Sequence, residues 1–220
     1  MKLLLTSAGI KNPTIQSALG ELLGKPIADC DALCIPTALY GHPYAGPRQA
    51  WKCISGNEPG TPTVGLGWKS VGVLELTALP SLDEERWVPL VQETDVLLVE
   101  GGDAAYLSHW MRASGLADLL PSLKAVWVGV SGGSMVMAPR IGDRFVSWDS
   151  TNGDRTLGVV DFSIFPHLDN PHLPSNTMAA AEQWAADIGG PAYAIDDETA
   201  IQVVDGTVDV ISEGNWRLLA

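Results

Sequence analysis

The chain opens on Leu3-Leu4-Leu5-Thr6, a short apolar run that stops at a Ser-Ala-Gly turn and reads as a buried first strand. From Pro13 to Leu23 the period changes. Ile15, Leu19, Leu22 and Leu23 fall on one helical face, with Pro13 at the start and Gly24 just past the end. Ala32 to Pro36 is a second apolar run, Val71 to Leu76 a third strand, and Asp83 to Gln92 a helix. Asp95 to Val99 is a strand that runs into Glu100-Gly101-Gly102, and Asp103 stands where the next helix needs an N-cap. Ala125 to Gly129 is the following strand. Apolar runs alternating with helical stretches predict an α/β fold, a three-layer sandwich with a parallel sheet and helices on both faces.

Beyond residue 140 the pattern shifts to short strands and turns. Phe162 to Phe165 is an apolar run closed by Pro166, Asn176 to Asp187 is helical, and Ala192 to Ile195 is a short strand. Ala200 to Val204 and Thr207 to Ile211, joined by Asp205-Gly206, predict a C-terminal hairpin. Residues 41–70 are rich in Gly, Pro and Trp and show no period, so an irregular loop over a site is expected there. No repeat, low-complexity run or linker interrupts the chain, and residues 1–220 are read as one domain.

Composition narrows the partners. Hydrophobic residues make up 46% and charged residues 18%, a globular balance rather than a disordered one. The formal net charge of −13 excludes nucleic acid and an anionic membrane as expected partners, since both need a basic footprint. No apolar run approaches the length of a membrane span, and the N-terminal run is too short for a signal segment. Cys30, Cys34 and Cys53 are odd in number and lack metal-ligand spacing, so they read as small buried hydrophobes in a reducing compartment. The cytoplasm is the expected location, with no metal and no organic cofactor. Eight tryptophans leave a homodimer interface open as a further expectation.

The candidate chemistry sits after the apolar strand at Ala125. Gly129-Val130-Ser131-Gly132-Gly133 has the G-x-S-x-G spacing, with Met135 to Ala138 able to begin a helix. A sharp strand-to-helix turn lifts the serine hydroxyl clear of the sheet, and the glycines avoid clashes within it. The Gly132 amide would then face a developing oxyanion from a helix N-terminus. The competing reading is a glycine-rich strand end that only turns, or that holds a phosphate. Ser134 falls inside the helix start and is expected to cap it. Glu100-Gly101-Gly102 closes a neighbouring strand, where sites form in parallel sheets, so the Gly101 or Gly102 amide could be a second oxyanion donor.

A serine nucleophile needs a base, and the base needs an orienting group. There are four histidines. His42 lies in the Gly/Pro-rich stretch and His109 inside a helix. His167, directly after the apolar run at 162–166, is the preferred base, with His172 next. For the acid, Asp197 follows the strand at Ala192, and Asp149 lies between the nucleophile and His167. A strand end is the more rigid platform, which favours Asp197.

Taken together, Glu100-Gly101-Gly102, the Ser131 elbow with Pro139 beyond it, Phe165-Pro166-His167 and Asp196-Asp197-Glu198-Thr199-Ala200-Ile201-Gln202-Val203 resemble the peptidase E and cyanophycinase family of serine peptidases, family S51. The resemblance covers most of the chain. It implies a flavodoxin-like fold similar to class I glutamine amidotransferases, with serine in place of their cysteine. It implies Ser131 as nucleophile, His167 as base, a carboxylate at Asp197 with Asp149 a looser match, and Gly102 and Gly132 as the oxyanion hole. A short peptide is the implied substrate. Two departures stand out. The elbow reads Ser131-Gly132-Gly133-Ser134 where the family commonly has Ser-Ala-Gly-Ala. Aspartyl-specific members carry an arginine in the helix after the histidine, but Thr177 to Trp184 holds no basic residue, so aspartyl specificity does not carry over. Two other readings stay open: a catalytically inactive homologue that binds a small molecule or peptide on the same scaffold, and an esterase of the usual α/β-hydrolase fold. Against the esterase stand the missing His-Gly-Gly-Gly loop and an acid placed after the histidine.

Overall fold

The structure is a computed structural model that describes residues 1–57, 62–149 and 152–219. Strand β1 (Lys2–Thr6) leads into helix α1 (Pro13–Leu23). The Asn12 side chain caps α1 by accepting from the Ile15 amide at 2.9 Å, and Gly24 ends it in a left-handed conformation. Strand β2 (Asp31–Ile35) is followed by two short helices, α2 (Ala38–Gly41) and α3 (Pro47–Ile54), and by β3 (Ser70–Val73). Next come α4 (Val88–Glu93), β4 (Val96–Val99), α5 (Ala104–Ala113), α6 (Leu116–Leu119), β5 (Val126–Val130) and the single turn α7 (Gly132–Met135). The last part of the chain forms β6 (Ser163–Phe165), α8 (Met178–Ile188), β7 (Ala192–Ile195), β8 (Thr199–Val204), β9 (Thr207–Ser212) and β10 (Trp216–Leu219).

Seven strands form the main sheet in the order β3-β2-β4-β5-β1-β8-β9. The five from β3 to β1 are parallel, and β8 and β9 are antiparallel. Successive side chains alternate between the two faces, so each uninterrupted apolar run feeds two cores. Leu3, Leu5, Leu97, Val99 and Trp127 pack on one face with Leu107 and Met111 of α5. Leu4, Val96, Leu98, Val126 and Val128 pack on the other with Ile15, Leu19 and Leu22 of α1. This is the expected three-layer α/β sandwich.

Several details differ from the sequence reading. The third strand ends at Val73 rather than Leu76, because Glu75 turns the chain: its carboxylate accepts from the Thr37 hydroxyl and the Thr77 amide. The helix expected over 83–92 is a 3-10 turn at Glu84–Arg86 and then α4, which starts afresh with Pro89 in its first turn. Residues 41–70 contain α3 and a 3-10 turn at Val64–Leu66 rather than loop alone, and residues 58–61 lie outside the described residues. The C-terminal hairpin turns on Asp205 and Gly206, with φ of 49° and 86°, as the Asp-Gly pair requires. A second sheet, β10-β7-β6, was not expected. In it, β6 and β7 are parallel and β10 is antiparallel to β7.

Candidate active site

Ser131 stands between β5 and α7 with φ 47° and ψ −111°, a left-handed conformation that costs a residue with a side chain of order 1–3 kcal/mol. Its amide donates to the Thr6 carbonyl at 3.0 Å, carrying the β1–β5 pairing one step past the strand before the chain reverses. Close backbone approach dictates the glycines that follow. A Cβ on Gly132 would sit 2.4 Å from the Gly102 carbonyl oxygen, and one on Gly133 would sit 2.2 Å from that of Val99. The turn after β4 therefore lies directly against the elbow. Neither the Gly102 nor the Gly132 amide donates to a backbone carbonyl among the described residues.

Two expectations for this segment need correction. The helix starts at Gly132, before Met135, and lasts one turn, since Pro139 disfavours its continuation. So short a helix adds little dipole, and what the elbow offers an anion is the amide itself. Ser134 is not a cap. It is fully buried, and its hydroxyl donates to the Thr6 carbonyl at 2.7 Å, fastening α7 to β1.

The second half of the site comes from the small sheet. His167 follows β6 after Pro166, and Asp197 follows β7 after Asp196. Parallel pairing of β6 with β7 brings the two loops to the same end, and His167 Nδ1 lies 2.6 Å from Asp197 Oδ1. An ionised carboxylate can only accept, so Nδ1 carries a proton, and in the neutral imidazole that leaves the lone pair on Nε2. Asp197 accepts two more hydrogen bonds: Asn170 Nδ2 donates to Oδ2 at 2.5 Å and the Ser7 hydroxyl to Oδ1 at 3.1 Å. Burial pushes the Asp197 carboxyl up. The hydrogen bond and charge of His167, with those from Asn170 and Ser7, outweigh it and hold the group below its ordinary value.

Ser131, His167 and Gly102 line one cavity of about 440 Å³. Leu39 of α2, Ala45 from the segment after it, Phe145 and Leu173 also line it. No hydrogen bond joins Ser131 to His167 among the described residues. Such contacts are often long in an unliganded site and tighten around substrate.

The remaining candidates have no hydrogen bond from their side chains to His167 or Asp197 among the described residues. Asp149 is exposed, has no hydrogen bond to His167 among the described residues, and precedes Ser150 and Thr151, which lie outside them. The chain before it is held by Asp103, whose carboxylate caps α5 through the Tyr106 amide at 2.7 Å and also accepts from the Ser147 and Trp148 amides at 2.8 and 2.7 Å. His172 is exposed, and its amide donates to Asn170 Oδ1 at 2.8 Å. His109 packs against Trp148 at 5.0 Å. His42 lines the cavity while its Nδ1 accepts from the Tyr44 amide.

Sequence reasoning missed three residues. Ser7 lies at the carboxyl end of β1, beside the elbow strand, and that position was its signal. Asn170 carried no signal beyond its closeness to His167. Arg144 carried none: it comes from a separate 3-10 turn, Asp143–Phe145, yet lines the cavity. Its guanidinium donates to the Ser175 carbonyl at 2.7 Å and to Asn176 Oδ1 at 3.1 Å, so a cation reaches the start of α8 although α8 itself has none.

A model of peptidase family S51 matches residues 3–211 of the chain. Among solved structures, a candidate peptidase E from Listeria monocytogenes EGD-e has a TM-score of 0.71 at 19% identity, over 97% of this chain and 98% of that one. A peptidase from an acI-B1 Actinobacterium has a TM-score of 0.66 at 20% identity, over 99% of this chain and 90% of that one. Both are likenesses of fold. No curated protein matches the chain. Among the described residues, no helix is long and apolar enough to cross a membrane, and no group of three His, Cys, Asp or Glu could hold a metal ion.

Proposed function

This chain belongs to peptidase family S51 and is a serine peptidase, and from that premise we propose that it hydrolyses short peptides, with Ser131 as nucleophile, His167 as base and Asp197 as the acid that orients it. The observation that carries the reading is the 2.6 Å contact between His167 Nδ1 and Asp197 Oδ1 on the cavity that also holds the strained Ser131. With its proton fixed on Nδ1, the imidazole offers Nε2 to the serine hydroxyl. Ser131 Oγ attacks the peptide carbonyl as Nε2 takes the proton, and the imidazolium then returns it to the leaving amine. The Gly102 and Gly132 amides hold the oxyanion. Water completes the cycle by the same route, and no metal or organic cofactor enters it.

A cavity of about 440 Å³ suits a dipeptide or a slightly longer fragment rather than a folded chain. Arg144 is a fixed cation on its wall, suited to a peptide carboxylate. The cytoplasm remains the proposed location. A homodimer remains a proposal, to be checked by sedimentation.

Replacing Ser131 with Ala tests the reading. The variant should keep its fold by circular dichroism, lose hydrolysis of a dipeptide panel, and lose labelling by a fluorophosphonate. Wild-type activity in that variant would remove Ser131 from the mechanism. An unlabelled and inactive wild-type chain would instead favour the binding homologue.

A further inference from the structure

Ser7 is fully buried at the carboxyl end of β1, and its hydroxyl meets both members of the His167–Asp197 pair. The oxygen accepts from the His167 main-chain amide at 2.7 Å, and the hydroxyl donates to Asp197 Oδ1 at 3.1 Å. His167 Nδ1 is also near, at 3.4 Å, but it already carries the proton given to Asp197. The single Ser7 proton therefore has one acceptor, the carboxylate, and every hydrogen bond in the cluster has a defined direction. His167 itself has φ 57°, a conformation a residue with a Cβ holds only when its surroundings impose it. The bond from its amide to Ser7 is one such restraint.

We propose that Ser7 is a positioning residue: a hydroxyl on the main sheet that ties the backbone of His167 and the carboxylate of Asp197 to the strand beside the Ser131 elbow. The link is between sheets. His167 and Asp197 come from the small sheet, whereas Ser131 follows β5, the parallel neighbour of β1 in the main one. The Ser131 amide is fixed to Thr6, the residue before Ser7. Two adjacent residues, Thr6 at the end of β1 and Ser7 just past it, thus set the nucleophile and the base against each other. This inference rests on the roles proposed above for Ser131, His167 and Asp197.

The test is Ser7→Ala, with Ser7→Thr as the variant that restores the hydroxyl. Losing the tether lets the imidazole drift relative to Ser131, and a misplacement of about 1 Å costs on the order of 10²-fold in rate. We expect kcat to fall by between about 10-fold and 100-fold with KM nearly unchanged. Ser7 also supplies one of the three donors to Asp197, so its loss raises the proton affinity of the coupled pair, and the acid limb of the pH–kcat/KM profile moves to higher pH. The other nearby carboxylates are turned elsewhere, Asp196 accepting from the Thr199 hydroxyl and Glu198 from the Asn12 side-chain amide, so neither takes the place of Asp197 as the partner of His167. Recovery of rate and acid limb in Ser7→Thr supports the proposal. Wild-type kcat and an unmoved acid limb in Ser7→Ala, beside an inactive Ser131→Ala, overturn it while leaving the triad reading intact. A loss that appears only as reduced thermal stability, with kcat per folded molecule unchanged, overturns it as well. Full activity in Ser131→Ala overturns both readings together.

Discussion

At the residue scale, the choice between two carboxylates decides how the base is oriented. Asp197 receives His167, Asn170 and Ser7, and this set keeps it ionised across the neutral range, since its carboxyl is held below the ordinary value. Asp149 is exposed and follows a segment anchored through Asp103 instead. Asp197→Asn should therefore lower kcat at least about a hundredfold, because an amide cannot impose the same tautomer on His167, a loss that can reach about 10⁴-fold in such triads. Asp149→Asn should stay within a few-fold of wild type, by the rough rule that exposed groups without structural partners change little. Steady-state kinetics on both variants check this, and the reverse ranking would make Asp149 the orienting acid. Ser131, His167 and Asp197 were legible because each stands at the end of an apolar run. Ser7 and Arg144 were not. A serine in a Ser-Ala-Gly turn and an arginine in a short 3-10 turn look like ordinary surface residues until tertiary contacts bring the first to the His167–Asp197 pair and the second to the cavity.

At the element scale, the elbow is the feature that sequence conveyed best in kind and least well in boundary. Apolar strand, glycine-flanked serine and short helix are all present, yet α7 is one turn that starts at Gly132. The reason is that its shape comes from backbone meeting backbone. Gly133 presses on the Val99 carbonyl and Gly132 on that of Gly102, and no local pattern announces a contact with a strand some thirty residues earlier. The same packing makes a prediction. A methyl on Gly133 meets main-chain oxygens of Val99 and Glu100, which cannot rotate aside as a side chain would. Gly133→Ala should cost about 3 kcal/mol, the upper end of the usual overpacking range. It should also push the β4 turn, and with it the Gly102 amide, away from Ser131. Urea titration and kcat on the same preparation would show both effects. Unchanged stability would mean that the elbow and the β4 turn have more room than their backbone separation implies.

At the scale of the whole molecule, the parallel main sheet was readable because its strands are uninterrupted apolar runs buried on both faces, and alternation with helices sets their direction. The small sheet was not. Its strands are three or four residues long: β6 and β7 were visible as an apolar run and a short strand, but β10 leaves Trp216 and Leu218 exposed, and nothing in the pattern assigns the three to a sheet of their own. Yet that sheet supplies the proposed base and acid, while the main sheet supplies the proposed nucleophile and oxyanion donors. One side of the small sheet shares the main core, through Ile164 of β6 and Ile195 of β7, and the other side does not. Phe165, Trp184, Ala185, Ile188 and Leu219 pack with α8 in a cluster of their own, far smaller than the cores around the main sheet. Local opening is governed by how much apolar surface holds a segment down, so the outer side of the small sheet, with α8 and β10, is the part expected to loosen first. Catalysis needs both sheets in register, and the Ser7 hydrogen bonds are among the contacts that join them. Activity should therefore disappear at a lower urea concentration than the main-sheet signal in far-ultraviolet circular dichroism. Fluorophosphonate labelling of Ser131 should fall along with activity, since the serine loses its base before its elbow unfolds. Coincident midpoints for activity and dichroism would show instead that the two sheets unfold as one cooperative unit and that their junction is as stable as either core.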